Sequence, residues 1–179
     1  MSIIDELGVL GPYFRDGVTE TDKDKMDELY RVFHADFFVN TVVVEDTPLK
    51  VKPYLYKNSR KDNLPIDFEQ YYEKFVHVIT RTIKNGKYKT ASTIREFREE
   101  RANRIHWIRV ILENKDDKRI TCFKYVEDDG AVRDYYWYRS KQYIVIVEYI
   151  RPDYSLITGF CVDGDNQPHY QKKYINRIK

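Results

Sequence analysis

Cysteine and long apolar runs are both scarce in this chain. Its two cysteines, Cys122 and Cys161, are far apart in the sequence and lack any metal-ligand spacing, so we expect ordinary strand residues of a reducing compartment. No apolar run approaches the roughly 18 residues that a membrane span requires. The acidic start Met-Ser-Ile-Ile-Asp-Glu does not resemble a secretory signal. These absences predict a cytoplasmic protein that does not associate with membranes.

Several catalytic motifs are missing as well. The sequence has no Gly-rich loop of the kind that cradles phosphates and no nucleophile elbow. It has no carboxylate cluster that would indicate a magnesium nuclease, and no set of His and Cys residues that would indicate zinc. We therefore expect neither a metal site nor a cofactor.

Charge is plentiful but unevenly distributed. Residues 1–49 hold 11 acidic and 4 basic side chains, whereas residues 50–94 hold 10 basic and 4 acidic ones. Residues 95–179 carry a further excess of basic side chains. This asymmetry predicts that the basic part binds a polyanion or that the acidic part folds over it. A solvated surface with uneven charge is the alternative.

The first part of the chain has the periodicity of helices. Apolar residues at helical spacing predict helices over Lys25–Phe37, Asp67–Lys84 and Thr93–Glu113, the second ended by Asn85-Gly86. Val42–Tyr54 is predicted to form a β-hairpin, and Asn58–Pro65 a polar, basic loop. We expect an acidic N-terminal helix and hairpin segment over residues 1–64, which could pack on a main domain at residues 65–179.

The period changes near residue 118, where β-branched and aromatic residues become frequent. We predict four strands joined by short turns, at Ile120–Val126, Val132–Tyr138, Tyr143–Ile150 and Ser155–Val162, and a basic last helix at about His169–Ile178. Short connections make neighbouring strands antiparallel. Helices followed by a meander predict the α+β class.

Basic side chains follow the helix predicted at Asp67–Lys84. Helical geometry places Lys74, His77, Arg81 and Lys84 opposite its apolar stripe, with His77 and Arg81 as neighbours four residues apart. A histidine that titrates near neutrality beside a guanidinium suits proton transfer near a phosphate. A solvated basic face with an incidental histidine is the other interpretation.

An arginine interrupts the apolar stripe of the helix predicted at Thr93–Glu113. Arg101 lies near the centre of that stripe, so its guanidinium must find a carboxylate, backbone carbonyls or a ligand phosphate. The alternatives are an anion site between helix and sheet, or a structural salt bridge to Glu148 or Asp134. His106 is expected on the opposite, solvent-exposed side of the helix.

Aromatic and basic residues also alternate on the predicted strands. Tyr135–Tyr138 lie between Arg133 and Arg139, and such platforms can stack bases and hold phosphates, although these residues are also common in strands. Thr158 interrupts an apolar strand, where a lone hydroxyl is usually bonded within the sheet.

The order and spacing of these residues resemble those of a known nuclease family. The segments are Phe75-Val-His77-Val-Ile-Thr80-Arg81, Arg101-Ala-Asn-Arg104-Ile-His-Trp107, Arg133-Asp-Tyr-Tyr-Trp137, Leu156-Ile-Thr158-Gly-Phe and Lys172-Lys173-Tyr174-Ile-Asn-Arg177. Over residues 65–179 they are similar to the phage and mobile-element nucleases grouped with barnase, EndoU, colicin D and RelE. The resemblance implies helices packed on one face of a curved antiparallel sheet.

The resemblance also implies a metal-independent, toxin-like RNase in which the ribose 2′-hydroxyl is the nucleophile. It assigns catalysis to His77, Arg81, Arg104 and Thr158. It assigns RNA binding to Arg133 and Lys173, and the basic and aromatic residues described above add Lys84, Arg101, Tyr136 and Arg177 as candidates for RNA binding. The partners expected are RNA, tRNA included, and an inhibitor protein.

Two other functions remain open. One is a non-catalytic RNA- or protein-binding module of a phage or prophage on the same fold. In the other, the acidic N-terminal segment acts as a built-in inhibitor that covers the basic cleft.

Overall fold

The computed structural model of the protein describes residues 4–85 and 92–179, except for the side chains of Lys84, Asn85 and Ser92. Within these residues the helices are α1 (Lys23–His34), α2 (Glu73–Ile79), α3 (Glu99–Ala102), α4 (Trp107–Glu113) and α5 (Gln167–Ile175). The strands are β1 (Val43–Val44), β2 (Thr47–Lys50), β3 (Thr80–Asn85), β4 (Ser92–Phe97), β5 (Ile120–Val126), β6 (Val132–Tyr138), β7 (Tyr143–Ile150) and β8 (Asp153–Cys161). The fold is therefore α+β.

Six of the strands form one curved, mixed sheet in the order β1-β2-β8-β7-β6-β5. The four strands predicted after residue 118 are confirmed and pair antiparallel in sequence order. Gly130, with φ of +85°, supplies the left-handed residue of the β5–β6 turn. The predicted hairpin is confirmed in part as β1 and β2, because β2 begins at Thr47 and ends at Lys50 instead of extending to Tyr54. The expectation of a purely antiparallel sheet is wrong, because β2 pairs parallel with β8, Leu49 opposite Tyr154.

Side-chain alternation along the strands gives this sheet two buried faces. On the first face, Tyr136, Val145 and Leu156 pack against the apolar sides of α1, α2 and α4. On the second face, Trp137 and Ile144 belong to a smaller cluster that Tyr170 and Tyr174 of α5 cover. The expectation that helices pack on one face only is therefore wrong.

The helix predicted at Asp67–Lys84 is in fact three short elements. A 3₁₀ turn at Ile66–Gln70 precedes α2, and α2 ends at Ile79, where the chain continues as β3. The β-branched residues of this region are Val76, Val78, Ile79, Thr80, Thr82 and Ile83. Such side chains favour strands over helices, and β3 is stabilised further by antiparallel pairing with β4.

The helix predicted at Thr93–Glu113 is also wrong, because β4, α3 and α4 divide the segment. At the end of α3, the backbone N–H of Asn103 completes the last helical bond, to the Glu99 carbonyl, and its side chain bonds to a distant segment. Its Oδ1 accepts from the Phe14 N–H at 2.7 Å, and its Nδ2 donates to the Phe14 carbonyl at 2.9 Å. These long-range bonds hold the N-terminal segment at the point where α3 ends. The Gly86 stop signal lies outside the described residues.

The acidic N-terminal segment packs beside α3 and α4. Trp107 Nε1 donates to the Gly11 carbonyl at 2.8 Å, and the Arg119 guanidinium pairs with Asp5 at 2.8 Å. The segment enters the main sheet through β1 and β2. Residues 1–64 and 65–179 thus share a sheet and a core.

Candidate functional site

Two adjoining cavities lie between α2 and the extended segment 51–57, and we call them together the basic groove. The smaller, of about 230 Å³, is lined by Lys52, Tyr54, Glu73, Lys74, His77, Ile150 and Ser155. The larger, of about 760 Å³, is lined by Pro53, Tyr54, Leu55, Tyr56, Lys57, Asp62, Glu73 and Arg95. Tyr54 and Glu73 line both cavities, so the two form a continuous surface.

Backbone hydrogen bonds fix the outer wall of the groove. The Glu73 N–H at the start of α2 donates to the Tyr54 carbonyl at 2.6 Å, and the Tyr56 N–H donates to the Tyr71 carbonyl at 2.9 Å. The Tyr56 hydroxyl in turn donates to Asp62 at 2.5 Å. These bonds tie segment 51–57 to the start of α2, and α2 is the helix that carries Lys74 and His77.

His77 is paired with an arginine that sequence reasoning did not identify. Its Nδ1 lies 2.7 Å from Arg95 Nη2. Because a guanidinium can only donate, Nδ1 is the acceptor and the ring proton is on Nε2. Burial, together with the charges of Arg95, Lys74 and Arg101, lowers the pKa of His77 from 6.5 to about 3. At neutral pH the imidazole is therefore uncharged and has a donor at Nε2.

The cations around His77 are partly buried. Lys74 Nζ donates to the Ile157 carbonyl at 3.3 Å, and Arg95 Nη1 donates to Thr80 Oγ1 at 3.3 Å. Arg101 Nη1 donates to the Thr80 carbonyl at 2.9 Å. Burial lowers the pKa values of both Lys74 and Arg101. In the part of the chain that the structure describes, none of the three cations is ion-paired with a carboxylate.

The prediction that Arg101 is partly buried and has a partner is confirmed. Its partner is the Thr80 carbonyl, and its guanidinium also lies over the Phe160 ring at 5.0 Å. The alternative salt bridge to Glu148 or Asp134 does not form. Arg133 pairs with Glu148 at 3.0 Å, and Lys124 pairs with Asp134 at 3.1 Å.

Other residues that the resemblance assigned to the site are paired with carboxylates. Arg81 lies on β3, where it pairs with Asp163 at 3.6 Å, so the predicted helical neighbourhood of His77 and Arg81 is wrong. Arg133 has its partner in Glu148. Lys173 on α5 pairs with Glu127 and donates to the Tyr135 hydroxyl at 2.8 Å. The charges of these three cations are compensated within the protein.

Three further candidates lie away from the groove. Arg104 donates to the Glu100 carbonyl and lines a separate cavity near the N-terminal segment. Arg177 donates to the Tyr174 carbonyl, with its guanidinium 4.3 Å from that ring. Tyr136, a predicted substrate-binding residue, is only 3% exposed on the sheet face that packs against α4. The side chain of Lys84 lies outside the described residues.

Two polar side chains differ from expectation in their bonding. Thr158, expected to be bonded within the sheet, has a buried Oγ1 with no partner among the described residues. It follows Ile157, whose carbonyl accepts from Lys74. His106, expected at the surface, is half-buried with its ring edge against Tyr13, because α4 begins only at residue 107. Its Nδ1 is also buried and unpartnered in the described part of the chain.

Arg95 and Tyr54 were missed for different reasons. Arg95 reaches His77 only because β3 and β4 pair, and both segments had been predicted as helix. Tyr54 lies in a predicted strand of a hairpin, where nothing in the sequence linked it to His77. A signal for Lys74 did exist, since it is three residues before His77 on the predicted basic face.

Comparisons of the chain with protein-family models, with curated proteins and with solved structures give no match. Among residues 4–85 and 92–179, no three His, Cys, Asp or Glu side chains are grouped as a metal ion would require. The helices in those residues are all too short or too polar to span a bilayer.

Proposed function

We propose that the basic groove binds phosphate groups of RNA. The observation that carries the proposal is the cluster of Lys74, Arg95 and Arg101 around a neutral His77, with no carboxylate paired to any of the three cations in the described residues. Partly buried cations without an ion-paired carboxylate are unfavourable unless an anion meets them, and the nearby Glu73 only partly offsets the desolvation of Lys74. Phosphate oxygens accept strong hydrogen bonds from Lys and Arg, and His77 Nε2 would add a neutral donor.

The choice of RNA rests on two further arguments. The groove offers several cations along one extended surface, which suits the repeated charge of a polynucleotide better than one small anion. The resemblance of residues 65–179 to barnase-like nucleases adds RNA as the expected class of ligand.

Binding is tested with a fluorescently labelled single-stranded RNA and three proteins. Lys74→Met should weaken binding and reduce the slope of log affinity against log salt by about 0.7, the contribution of one phosphate contact on a single strand. Lys172→Met is the matched control, because it removes the same charge from an exposed position on α5. If both variants bind as wild type does, or if wild type does not bind, the groove is not a phosphate site.

Metal-independent RNA cleavage is the second candidate function. An unprotonated imidazole, Lys74 and Arg95 line one groove, and Arg101 lies behind them, an arrangement that suits transfer of the 2′-hydroxyl proton and stabilisation of phosphate charge. Burial is the first cause of the lowered pKa of His77 and the neighbouring positive charges are the second. A bound phosphate would offset those charges, and Arg95 would turn from Nδ1 to the anion. His77 would then be able to accept a proton.

Cleavage is tested by incubating the protein with tRNA and total RNA in EDTA. We expect products that end in a cyclic phosphate, and a rate that falls about 100-fold or more in His77→Ala. His169→Ala, at an exposed position on α5, is the control. If wild type cuts no RNA, or if both variants cut as well as wild type, the cleavage proposal fails and the binding proposal is judged on its own assay.

A further inference from the structure

The mouth of the basic groove carries an exposed aromatic ring on a fixed backbone. Tyr54 is 59% exposed, although large aromatic side chains are usually much more buried. Its carbonyl accepts from the Glu73 N–H, and the adjoining Leu55 forms an isolated bridge with Tyr72. The backbone that carries the ring is therefore fixed at the rim of the groove by the same bonds that position α2.

The surroundings of this ring combine apolar and cationic groups. Lys52 Nζ lies 5.8 Å from the centre of the Tyr54 ring, and Ile150, itself 55% exposed, lines the smaller cavity with it. Lys74 and His77 line the same cavity. An aromatic platform beside a cationic groove is the usual composition of sites that bind single-stranded nucleic acid.

We infer that Tyr54 stacks on an unpaired base whose phosphate is bound by Lys74 and His77. The ligand of the groove would thus be single-stranded RNA, and duplex RNA would be excluded because its bases are stacked within the helix. The inference rests on the proposed phosphate site and adds to it the part of the ligand that lies at the rim.

The volume of the smaller cavity agrees with a ligand whose phosphate is bound inside the cavity and whose base is bound at its rim. At about 230 Å³ the smaller cavity is below the roughly 300–1,000 Å³ of pockets that enclose a whole small ligand. It can hold a phosphate with part of its sugar, and the base would lie towards the larger adjoining cavity, against Tyr54, which lines both cavities. A protein partner fits the surface less well, because protein interfaces are depleted of lysine and Lys52, Lys57 and Lys74 line the groove.

The test measures affinity for a short labelled single-stranded RNA, for the same strand annealed to its complement, and for inorganic polyphosphate, which has phosphates but no bases. Tyr54→Ala should weaken single-strand binding about 5- to 150-fold, the range found for loss of one base–aromatic stack. It should leave polyphosphate binding unchanged. Tyr54→Phe, which keeps the ring, should bind the single strand as wild type does, and the duplex should bind more weakly than the single strand.

Tyr149→Ala is the matched control. Tyr149 is 52% exposed at the same end of the sheet, but its ring lies near Tyr154 and does not line the groove. We expect this variant to bind all three probes as wild type does. Thermal melting of each variant will show that it is folded.

Four results would overturn the inference. If Tyr54→Ala binds the single strand normally while Lys74→Met does not, the phosphate site stands and the stacking role is wrong. If Tyr54→Ala loses polyphosphate as well, the ring shapes the groove and does not stack. If the wild type dimerises and Tyr54→Ala is monomeric, the surface is a protein interface. If the wild type binds no probe, the proposed function fails together with the inference.

Discussion

The uncharged state of His77 predicts a defined part of the protein's acid sensitivity. The pKa of His77 is lowered from 6.5 to about 3, first by burial and then by the charges of Arg95, Lys74 and Arg101. In the unfolded chain the same imidazole regains its ordinary pKa. Between pH 6.5 and about pH 3 the unfolded chain therefore binds a proton that the folded chain does not, and the folded state loses stability as the pH falls.

Each unit of pKa difference corresponds to about 1.4 kcal/mol. On going from pH 7 to pH 4.5, His77 should thus lower the free energy of unfolding by about 2.5 kcal/mol, with little further loss below pH 3, where both states bind the proton. Carboxylates begin to titrate in the same range, so the wild-type profile alone does not isolate His77. The difference between wild type and a variant that cannot titrate at this position does.

The assay is urea unfolding at intervals from pH 7 to pH 4.5 for wild type, His77→Gln and His169→Gln. The glutamine side chain that replaces His77 can still accept from Arg95 but cannot be protonated, so the His77→Gln profile should be flatter than that of wild type by about 2.5 kcal/mol. His169→Gln, at an exposed position, should follow the wild type. Parallel profiles for wild type and His77→Gln would show that His77 titrates normally, and the described arrangement of burial and cations would be wrong.

Two further substitutions test which basic residues stabilise the fold and which are available to bind a ligand. Lys173→Met should lower the free energy of unfolding by about 1.5 kcal/mol in denaturant titrations, because it leaves the half-buried Glu127 without its cation, and an unchanged midpoint would refute the pairing. Lys74→Met should instead raise the stability of the ligand-free protein by about 1 kcal/mol, since it removes a partly buried cation that has no paired carboxylate in the described residues. A lower melting temperature for this variant would contradict that charge balance.

The sheet could be predicted from sequence because its signals are local. β5 to β8 follow one another through short turns, so alternation and turn residues were sufficient to place them. The parallel pairing of β2 with β8 could not be predicted, because it joins residues about 105 positions apart through backbone bonds that carry no side-chain pattern.

The two helices predicted after Asp67 are the opposite case, because contacts between distant residues decide their structure. Their apolar spacing fits a helix, but β3 and β4 are stabilised by pairing with each other, and α3 ends before Asn103, whose side chain bonds to Phe14. Tertiary contacts of this kind override local propensity. The same error hid Arg95, which reaches His77 only across the β3–β4 pair.

Pairing with carboxylates separates three of the predicted site residues from the three cations around His77, and so gives two groups. Arg81, Arg133 and Lys173 have partners in Asp163, Glu148 and Glu127, so their charges are already used within the fold. A residue list taken from spacing alone cannot make this distinction, because every lysine and arginine in it has the same charge.

Lys74, Arg95 and Arg101 form the second group. Their bonds go to carbonyls, a hydroxyl and an imidazole, none of which carries a compensating charge. Desolvation makes such a cluster unfavourable for folding alone, as the lowered pKa values of Lys74 and Arg101 also indicate. A bound phosphate would offset that unfavourable free energy, and for this reason we place the binding site at these three residues and not at the paired arginines of the sheet.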